Sequence, residues 1–483
     1  MLTVFTLMLV ASVLIPEDGI HLSEDFTIRF YPAKDLFAKQ EEYADISKII
    51  EQNLVQEDSL LVKISTDSMQ VAIDTLRANA DSLNESVHKI QFPNHDRSIL
   101  YPVFDALEKA IEQEKVVRIM HFGDSQIEGD RMTALLRNKM QNKFGGSGVG
   151  LLPASQPYDF SFSVFHRSSE NWNRYTLYGI RDTLIKHNRY GILAGFSSFT
   201  PQPAVLKKNK TSKESAWISI QKSPYAYRNT TEFEQCRLLY GHGEEAFSVK
   251  VIVNKEVADT GTYPPSDGLK QIQWYFNSPV NNLYIELSGS SSPEVYGIAL
   301  DAKSGVAVDN ISMRGSAGLV FSNNNGELFR AMVEKLDVKL IILQFGGNIV
   351  PNIRKDYSYY ERWFYAQLRF IRENAPGVEI IVIGLSDMSQ KVNNRYESYP
   401  NIEAIRDAMK KASFRAGAAY WDMYEAMGGK NSMPSWVFAK PALASSDFVH
   451  FTPRGANIIA TMFYNALLYE YQLYSRKMKA STQ

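Results

Sequence analysis

A short apolar run that ends in a tight turn and an amphipathic helix constrains this chain most. The run Lys115–Phe122 has the length of a buried strand and leads directly into Gly123-Asp124-Ser125. After the turn, apolar residues recur at intervals of three and four as far as Phe144, and two glycines then supply a helix stop. The sequence therefore predicts a strand–turn–helix unit of the kind that builds parallel sheets.

Ser125 occupies the carboxyl end of the predicted strand and the start of the predicted helix. Ligands of α/β proteins bind at such strand ends, where free backbone N–H groups are available for an anion. The position suits a nucleophile, although a serine there can also simply cap the helix. A nucleophile would require a base, an orienting acid and oxyanion donors from elsewhere in the chain.

The C-terminal region offers a base and an acid in Asp447-Phe448-Val449-His450, just before a long amphipathic helix. A histidine acts as general base when one ring nitrogen faces the nucleophile and a carboxylate holds the other in the right tautomer. Asp18 and His21 have the same spacing near the N-terminus, so spacing alone does not decide. Chain order and setting favour His450.

Two further strand ends offer oxyanion donors. The apolar run Val338–Phe345 is followed by Gly346-Gly347-Asn348, and the run Gly305–Ile311 lies just before Gly315. The Asn348 amide and the Gly315 backbone N–H could each donate to a developing oxyanion. Taken singly, glycine and asparagine at strand ends are ordinary turn formers.

In this order, the residues resemble the four blocks of the SGNH subgroup of the GDSL esterase/lipase superfamily. The resemblance implies that Ser125 is the nucleophile, His450 the base and Asp447 its orienting acid. It also implies an oxyanion hole made by the Ser125 and Gly315 N–H groups and the Asn348 amide.

Two residues depart from the family pattern. Gly347 stands where many members carry threonine, and Ile349 follows Asn348 where an acidic residue is common. Neither departure removes a catalytic group. Both bear on the hydrogen bonds that orient Asn348.

The resemblance covers about residues 98–155 and 300–475, and the elements between Tyr359 and Asp422 alternate between helix and strand. We therefore expect residues 98–155 and 300–483 to form a discontinuous hydrolase domain, a three-layer α/β/α, flavodoxin-like sandwich. We expect Asp387, which follows one of these strands, to cap a loop rather than contact substrate.

Residues 156–299 have an all-β composition, with alternating runs such as Phe247–Val253 and Asn282–Leu287. The sequence predicts a β-sandwich inserted at a surface loop, similar to the carbohydrate-binding-type modules of peptidoglycan O-acetylesterases. Aromatic residues of the insert could stack on sugar rings, although most are expected in its core. These residues are Trp172, Trp217, Trp274 and Tyr296.

The N-terminal segment Leu2–Ile15 is almost wholly apolar but too short for a bilayer core of roughly 30 Å. Residues 1–20 are predicted to be a signal peptide or short membrane anchor, and residues 21–97 a helical or irregular spacer. Export to the periplasm or cell envelope follows, with membrane association through the anchor. A buried N-terminal element in a cytoplasmic protein is the alternative.

Composition excludes several classes of function. With 52 Lys and Arg against 53 Asp and Glu, the net charge of −1 does not favour a nucleic-acid partner. The lone Cys236 excludes an internal disulfide and is predicted to be a small core residue. The eight histidines show no zinc-binding spacing, so neither a metal nor a cofactor is predicted.

The sequence thus predicts a serine esterase that removes acyl groups, above all O-acetyl groups, from an envelope or extracellular glycan. The expected partner is an acylated polysaccharide or peptidoglycan. Two alternatives remain, namely an O-acyltransferase with a sugar hydroxyl in place of water, and a glycan-binding protein whose hydrolase domain has been weakened.

Overall fold

The structure is a computed structural model, and it describes residues 10, 20–23, 26–28, 42–53, 88–158, 161–201, 213–278 and 280–482. The chain divides into two compact units, Met1–Tyr43 and Ala44–Gln483. In the first unit, two short strands pair antiparallel, which the sequence did not predict. The predicted signal peptide or anchor, residues 1–20, lies outside the described residues apart from Val10 and Ile20.

In chain order, the strands of the described residues are β1 (Ile20–Ser23), β2 (Phe26–Ile28), β3 (Val116–Gly123), β4 (Gly150–Leu152), β5 (Val164–Ser168), β6 (Asn173–Thr176), β7 (Gly195–Ser198), β8 (Glu214–Lys222), β9 (Gln235–Gly241), β10 (Phe247–Val253), β11 (Glu256–Tyr263), β12 (Lys270–Tyr275), β13 (Asn282–Gly289), β14 (Glu294–Asp301), β15 (Gly305–Ser312), β16 (Val338–Gln344), β17 (Glu379–Ile383), β18 (Ser389–Val392), β19 (Arg395–Ser398) and β20 (Ala419–Trp421).

The α-helices of the described residues are 47–53, Tyr101–Lys109, Thr133–Phe144, Arg228–Thr231, Gly326–Leu336, Ser358–Asn374, Ile402–Arg415, Met423–Ala426, Ser432–Phe438 and Pro453–Thr482. None of them is both long enough and apolar enough to cross a membrane.

A parallel sheet lies at the centre of the larger unit, with the strand order β15-β3-β16-β17-β20. Successive side chains of its strands belong alternately to two buried clusters. In β16, Ile341 and Leu343 belong to the first cluster, and Leu340 and Ile342 belong to the second. Side chains of successive strand residues point to opposite faces, so the sheet is covered on both sides, as parallel sheets require. The first cluster includes the helices Gly326–Leu336, Ser358–Asn374 and Ile402–Arg415, and the second includes Tyr101–Lys109, Thr133–Phe144 and Pro453–Thr482.

The predicted elements of this region are confirmed. The strand expected at Lys115–Phe122 is Val116–Gly123, and the helix expected at Tyr359–Glu373 is Ser358–Asn374. The region predicted to be all-β, residues 156–299, supplies most strands of two antiparallel sheets. One has the order β11-β10-β13-β8-β5, and the other β12-β9-β14-β7-β6 with β4 paired to β14. The protein is thus a mixed α/β chain with a parallel central sheet and additional antiparallel sheets.

The aromatic residues singled out in the β region divide into two groups. Trp172, Trp274 and Tyr296 are 7%, 7% and 1% exposed and lie in cores, as expected of most of them. Trp217 is half-buried on β8 and stacks on Tyr284 of β13 with ring centroids 5.7 Å apart. Cys236 is a free, buried thiol whose pKa is raised by burial, in agreement with the prediction of a small core residue.

The sheet that contains β14 shares a core with the parallel-sheet region. Leu239 of β9 and Tyr296 and Ala299 of β14 belong to the same buried cluster as Phe329 and Met332 of the helix Gly326–Leu336. The two antiparallel sheets also enclose a separate buried cluster, which includes Ile218, Leu238 and Ile298. The β region thus has a core of its own and a continuous apolar contact with the parallel-sheet region.

A buried ion cluster adds to this contact. The Arg118 guanidinium on β3 donates to Asp309 on β15 and to Asp301 at the end of β14, both at 2.5 Å. Arg237 of β9 also donates to Asp301, at 2.8 Å. Asp309 in turn accepts from the Leu151 backbone N–H of β4 at 2.8 Å. The cluster therefore joins strands of the central sheet to three strands of an antiparallel sheet.

We expect Arg118→Leu to lower the free energy of unfolding by roughly 3–5 kcal/mol, because it leaves the buried Asp309 without its cation and Asp301 with Arg237 alone. Urea unfolding followed by circular dichroism measures the loss. Arg369→Leu, at an exposed position of the helix Ser358–Asn374, is the matched control and should change stability by no more than about 0.5 kcal/mol. A loss below about 1 kcal/mol for Arg118→Leu would show that the cluster does not hold the sheets together.

Candidate active site

The turn that carries Ser125 is fixed by close packing at the end of β3. A Cβ added to Gly123 would lie 2.9 Å from the Ile127 side chain and 3.0 Å from the Gln344 carbonyl oxygen of β16. The Asp124 N–H donates to that same carbonyl at 3.3 Å, and the Asp124 carboxylate accepts from the Gln126 N–H at 3.0 Å. Ser125 then begins a 3₁₀ helix that runs to Asp130. Its side chain therefore stands at the carboxyl edge of the central sheet.

Ser125, His450 and Asp447 form a continuous hydrogen-bonded chain. The Ser125 Oγ lies 2.8 Å from Nε2 of His450, and Nδ1 of His450 lies 2.7 Å from Oδ2 of Asp447. An ionised carboxylate only accepts hydrogen bonds, so Nδ1 carries the proton and Nε2 is left to accept from the hydroxyl. This arrangement can take a proton from Ser125 as its oxygen attacks an electrophile.

Asp447 is held in place by the backbone of its own loop. Its Oδ1 accepts from the Val449 N–H at 2.9 Å and the His450 N–H at 3.0 Å. Burial acts to raise the pKa of this carboxyl, but hydrogen bonds from the His450 N–H and ring and from the Val449 N–H outweigh it and hold the pKa below its usual value. Asp447 is thus kept ionised beside the imidazole at neutral pH.

Gln126 connects the two loops, and sequence reasoning missed it. Its side-chain Nε2 donates to the Val449 carbonyl at 2.6 Å, and its Oε1 accepts from the Phe451 N–H at 3.5 Å. Both partners are neighbours of His450, so the residue after Ser125 fixes the loop that carries the imidazole. A single polar residue after a predicted turn gives no signal of a partner more than 300 positions away.

Asn348 lies in the 3₁₀ helix Gly347–Ile349, one turn beyond β16. The chain reaches it through Gly346, whose φ of +109° and close approach to the Met409 sulfur exclude a side chain. The Asn348 Nδ2 donates to the Ser316 carbonyl at 3.0 Å and to Oδ2 of Asp124 at 3.3 Å. Both partners are acceptors, which fixes the orientation of the amide and aims its N–H₂ group toward the Ser125 loop.

Gly315 follows β15 in an exposed turn with a φ of +77°. Its loop is tied to the Ser125 turn, because the Met313 N–H donates to the Gly123 carbonyl at 2.7 Å. Neither the Ser125 N–H nor the Gly315 N–H donates to another group of the described residues. Gly315 does not line the cavity around Ser125, whereas Asn348 does.

This cavity has a volume of about 260 Å³ and contains Ser125, His450 and Asn348 in its wall. The remaining wall is largely apolar and includes Phe345, Pro351, Leu385, Met388 and Met423. Gly347 also lines it, and a Cβ there would meet only ordinary contacts of 3.6 Å to Asp124 and Met388. The absence of a side chain at Gly347 therefore leaves extra room beside Asn348. The cavity suits a small uncharged group.

Two buried carboxyl groups near the site have raised pKa values. Burial raises the pKa of Asp124 to about 6, although hydrogen bonds from Gln126 and Asn348 act in the opposite direction. Burial also raises the pKa of Asp387 to about 6. Asp387 accepts from the Ser398 hydroxyl at 2.6 Å and the Met433 N–H at 2.8 Å and does not line the cavity. It holds loops together, as predicted.

No group of three or more His, Cys, Asp or Glu side chains that could hold a metal ion occurs among the described residues. The alternative Asp-x-x-His pair, Asp18 and His21, belongs to the N-terminal segment. His21 lies on β1 of the smaller unit, and Asp18 lies outside the described residues.

Comparison with solved structures identifies the fold. A structure described as a peptidoglycan O-acetylesterase in action aligns with a TM-score of 0.58 and 17% identity, over 78% of this chain and 97% of that chain. The chain has the fold of that esterase. The predicted resemblance to the SGNH esterases is thus confirmed at the level of the fold. No family model matches the sequence, and no curated protein does.

Other solved structures align much more weakly. A family two carbohydrate esterase from Clostridium thermocellum in complex with cellohexaose has a TM-score of 0.24 and 8% identity, over 53% of this chain and 94% of that chain. An acetyl xylan esterase has a TM-score of 0.25 and 12% identity, over 34% of this chain and 81% of that chain. Scores this low add nothing to the assignment of the fold.

The raised pKa of Asp124 predicts a pH-dependent contribution to stability. The native pKa of about 6 lies above the ordinary value of 3.8, so the native state binds this proton more tightly than the unfolded chain. This group stabilises the native state by roughly 3 kcal/mol below about pH 4. The stabilisation is lost as the pH rises through about 6. Asp124→Asn removes this titration, so its free energy of unfolding should fall less between pH 4 and pH 7.

Urea unfolding at pH 4, 5, 6 and 7 measures the two profiles. Asp105→Asn, at an exposed position of the helix Tyr101–Lys109, controls for the loss of one carboxylate. Parallel profiles for the wild type and Asp124→Asn would contradict the burial of an ionisable carboxyl at this position.

Proposed function

We propose that the protein is a serine esterase that removes acyl groups, O-acetyl groups in particular, from an envelope or extracellular glycan. The observation that carries the proposal is the hydrogen-bonded chain from Ser125 through His450 to Asp447 at the carboxyl edge of a parallel sheet. The shared fold with a peptidoglycan O-acetylesterase supports the same chemistry. The largely apolar wall of the cavity beside Ser125 supports an uncharged acyl group.

In this mechanism Ser125 attacks the ester carbonyl while His450 accepts the hydroxyl proton at Nε2. His450 then returns the proton to the departing sugar oxygen, which leaves an acyl group on Ser125. Water, deprotonated in its turn by His450, releases the carboxylic acid and regenerates the serine. Asp447 keeps the imidazole in the required tautomer and stabilises the imidazolium.

The charge that develops on the carbonyl oxygen needs donors already in place. In this proposal the donors are the Ser125 and Gly315 N–H groups, which donate to no other group of the described residues, and the Asn348 amide. Because the amide already donates to Ser316 and Asp124, it serves the oxyanion by giving up the longer bond to Asp124, at 3.3 Å. Asp124 is thus a positioning residue that holds the amide until the transition state forms.

The domain organisation in this proposal follows the sequence prediction. Residues 98–155 and 300–483 form the hydrolase domain, a three-layer α/β/α sandwich, and residues 156–299 form the inserted β-sandwich. Two buried clusters that draw alternate residues of each central strand support the layering. A polymeric substrate in the cell envelope requires export, so we assign residues 1–20 to a signal peptide or membrane anchor.

The solvent face of the sheet that contains β8 and β13 suits a polysaccharide. The stacked rings of Trp217 and Tyr284 lie on it, flanked by the polar side chains of Ser219, Lys250 and Glu286. Shallow depressions follow this face on either side of the aromatic pair. Aromatic rings that stack on sugars and polar groups that bond their hydroxyls give such a face the chemistry of glycan binding.

We expect Ser125→Ala to abolish acetate release from O-acetylated polysaccharides and labelling by a fluorophosphonate, because both need the activated hydroxyl. Thermal unfolding should show that the variant stays folded. Ser446→Ala, an exposed serine beside Asp447, is the matched control and should keep both activities. A folded Ser125→Ala protein with wild-type turnover would refute the mechanism, and an unlabelled, inactive wild type would favour a glycan-binding protein.

We expect Trp217→Ala to lower kcat/KM for an O-acetylated polysaccharide roughly 10-fold more than kcat/KM for 4-nitrophenyl acetate, because only the polymer reaches the aromatic face. Steady-state kinetics with both substrates measure the ratio. Tyr275→Ala, an exposed aromatic residue of β12 on the other antiparallel sheet, is the control. Equal losses on both substrates would assign Trp217 a purely structural role.

A further inference from the structure

A second cleft of about 240 Å³ lies beside the one that contains Ser125, and its lining has a distinct character. Three arginines and two tyrosines contribute to it, together with Gln156 and Glu128. The arginines are Arg137, Arg174 and Arg314, and the tyrosines are Tyr158 and Tyr178. We call it the arginine cleft.

The charges of the arginine cleft do not balance. Asp130 in its wall is fully paired, because Arg137 donates to it at 2.6 and 3.1 Å. Glu128 lies 3.6 Å from Arg314, whose side chain is 77% exposed. Arg174 has no carboxylate partner among the described residues. Within the part of the chain that the structure describes, one guanidinium charge therefore remains without a counter-ion.

Contacts with Tyr178 fix the position of the Arg174 side chain. Its guanidinium donates to the Tyr178 hydroxyl and lies 5.6 Å from the centre of the same ring. A guanidinium carries five N–H donors in a planar fork, so most of them remain available. This fork matches the two oxygens of a carboxylate.

Further donors lie in the same cleft. The side-chain nitrogen of Gln156 is buried without a hydrogen-bond partner among the described residues. The Tyr158 hydroxyl contacts the Ser312 hydroxyl at 3.1 Å, and in such a pair one hydroxyl proton is free to donate outward. Buried polar groups without partners are costly in a folded protein, and a bound polar ligand would satisfy them.

Two loops of the candidate active site, those after β3 and β15, also contribute to the arginine cleft. Glu128 lies three residues after Ser125, so their Cα atoms are at most roughly 11 Å apart. Arg314 directly precedes Gly315, and the Asn310 side chain in the cleft donates to the Ile127 carbonyl at 2.9 Å. A polymer with its ester at Ser125 would place a neighbouring sugar in the arginine cleft.

We propose that the arginine cleft binds a carboxylate carried by the glycan close to the acylated sugar, with Arg174 as its principal ligand and Arg314 as a second. The inference rests on the proposed esterase function and extends it by giving the substrate a charge. The carboxylate can belong to a uronic acid or to a lactyl or peptide substituent on an amino sugar. The rings of Tyr158 and Tyr178 offer apolar faces for the sugar that carries it.

The test compares the same polymer before and after chemical reduction of its carboxyl groups to alcohols. The two substrates are O-acetylated polygalacturonate and O-acetylated peptidoglycan fragments, which distinguish the two sources of carboxylate. In the wild type, reduction should raise KM for at least one of them roughly 10-fold or more, with little change in kcat. In Arg174→Gln the KM values for native and reduced polymer should converge.

Arg314→Gln is the second variant, because its exposed side chain can be changed without disturbing the fold. Arg369→Gln, an exposed arginine that lines neither cleft, is the matched control and should keep the wild-type dependence on reduction. Equal KM increases on native and reduced polymer would show that Arg174 acts only in the fold. A wild type indifferent to reduction of both polymers would overturn the proposal.

A direct binding measurement tests the carboxylate site independently of the esterase activity. Calorimetric titration of the Ser125→Ala protein with oligogalacturonate or peptidoglycan fragments needs no turnover, and Arg174→Gln in that background should weaken binding roughly 10-fold. If the wild type releases no acetate but this loss is seen, the esterase fails and the carboxylate site stands. If acetate is released but binding does not depend on Arg174, the esterase stands and the site fails.

Discussion

The Arg118 guanidinium lies fully buried where the parallel sheet meets an antiparallel one, and the relation between the two sheets depends on it. Its two partners, Asp309 and Asp301, lie on β15 and at the end of β14, and the chain crosses from one sheet to the other between them. Desolvating three charges is costly unless each is paired. Arg118 reaches both carboxylates only when β14, β15 and β3 adopt this one arrangement. The cluster therefore specifies the position of the antiparallel strands relative to the central sheet.

That arrangement also decides what lies beside Ser125. The loops after β3 and β15 emerge side by side, because Gly123 is level with Ser312 in the parallel register and with Gln344 on its other side. The ends of β3, β15 and β16 thus place the Ser125 turn, the Gly315 loop and the Asn348 helix at the carboxyl edge of the central sheet. The antiparallel strands, fixed by the ion cluster, then form the far wall of the arginine cleft. The proposed carboxylate site therefore lies next to the proposed ester site because of that junction.

The elements of the parallel-sheet region were predictable because each has a strong local pattern. The strand Val116–Gly123 and the helix Ser358–Asn374 follow directly from runs of apolar residues with periods of two and 3.6. The sequence indicated Ser125, Asn348 and His450 as candidate site residues because each lies next to or near the end of such an element. The attachment of the β region was less predictable. Its shared core with the helix Gly326–Leu336 depends on Tyr296 and Met332, and no short window of sequence contains both.

The amino-acid sequence by itself determined the alternation of strands and helices, the polar residues at the strand ends and the β character of the middle region, because these are set by residues close together in the chain. Tertiary structure decided the rest. It set the hydrogen bonds of Gln126 to the His450 loop, the burial of Asp124 against Asn348 and the place of Arg174 in a cleft beside Tyr178. Each of these depends on what desolvates or contacts a side chain across a distance of many residues, and only the packed chain contains that information.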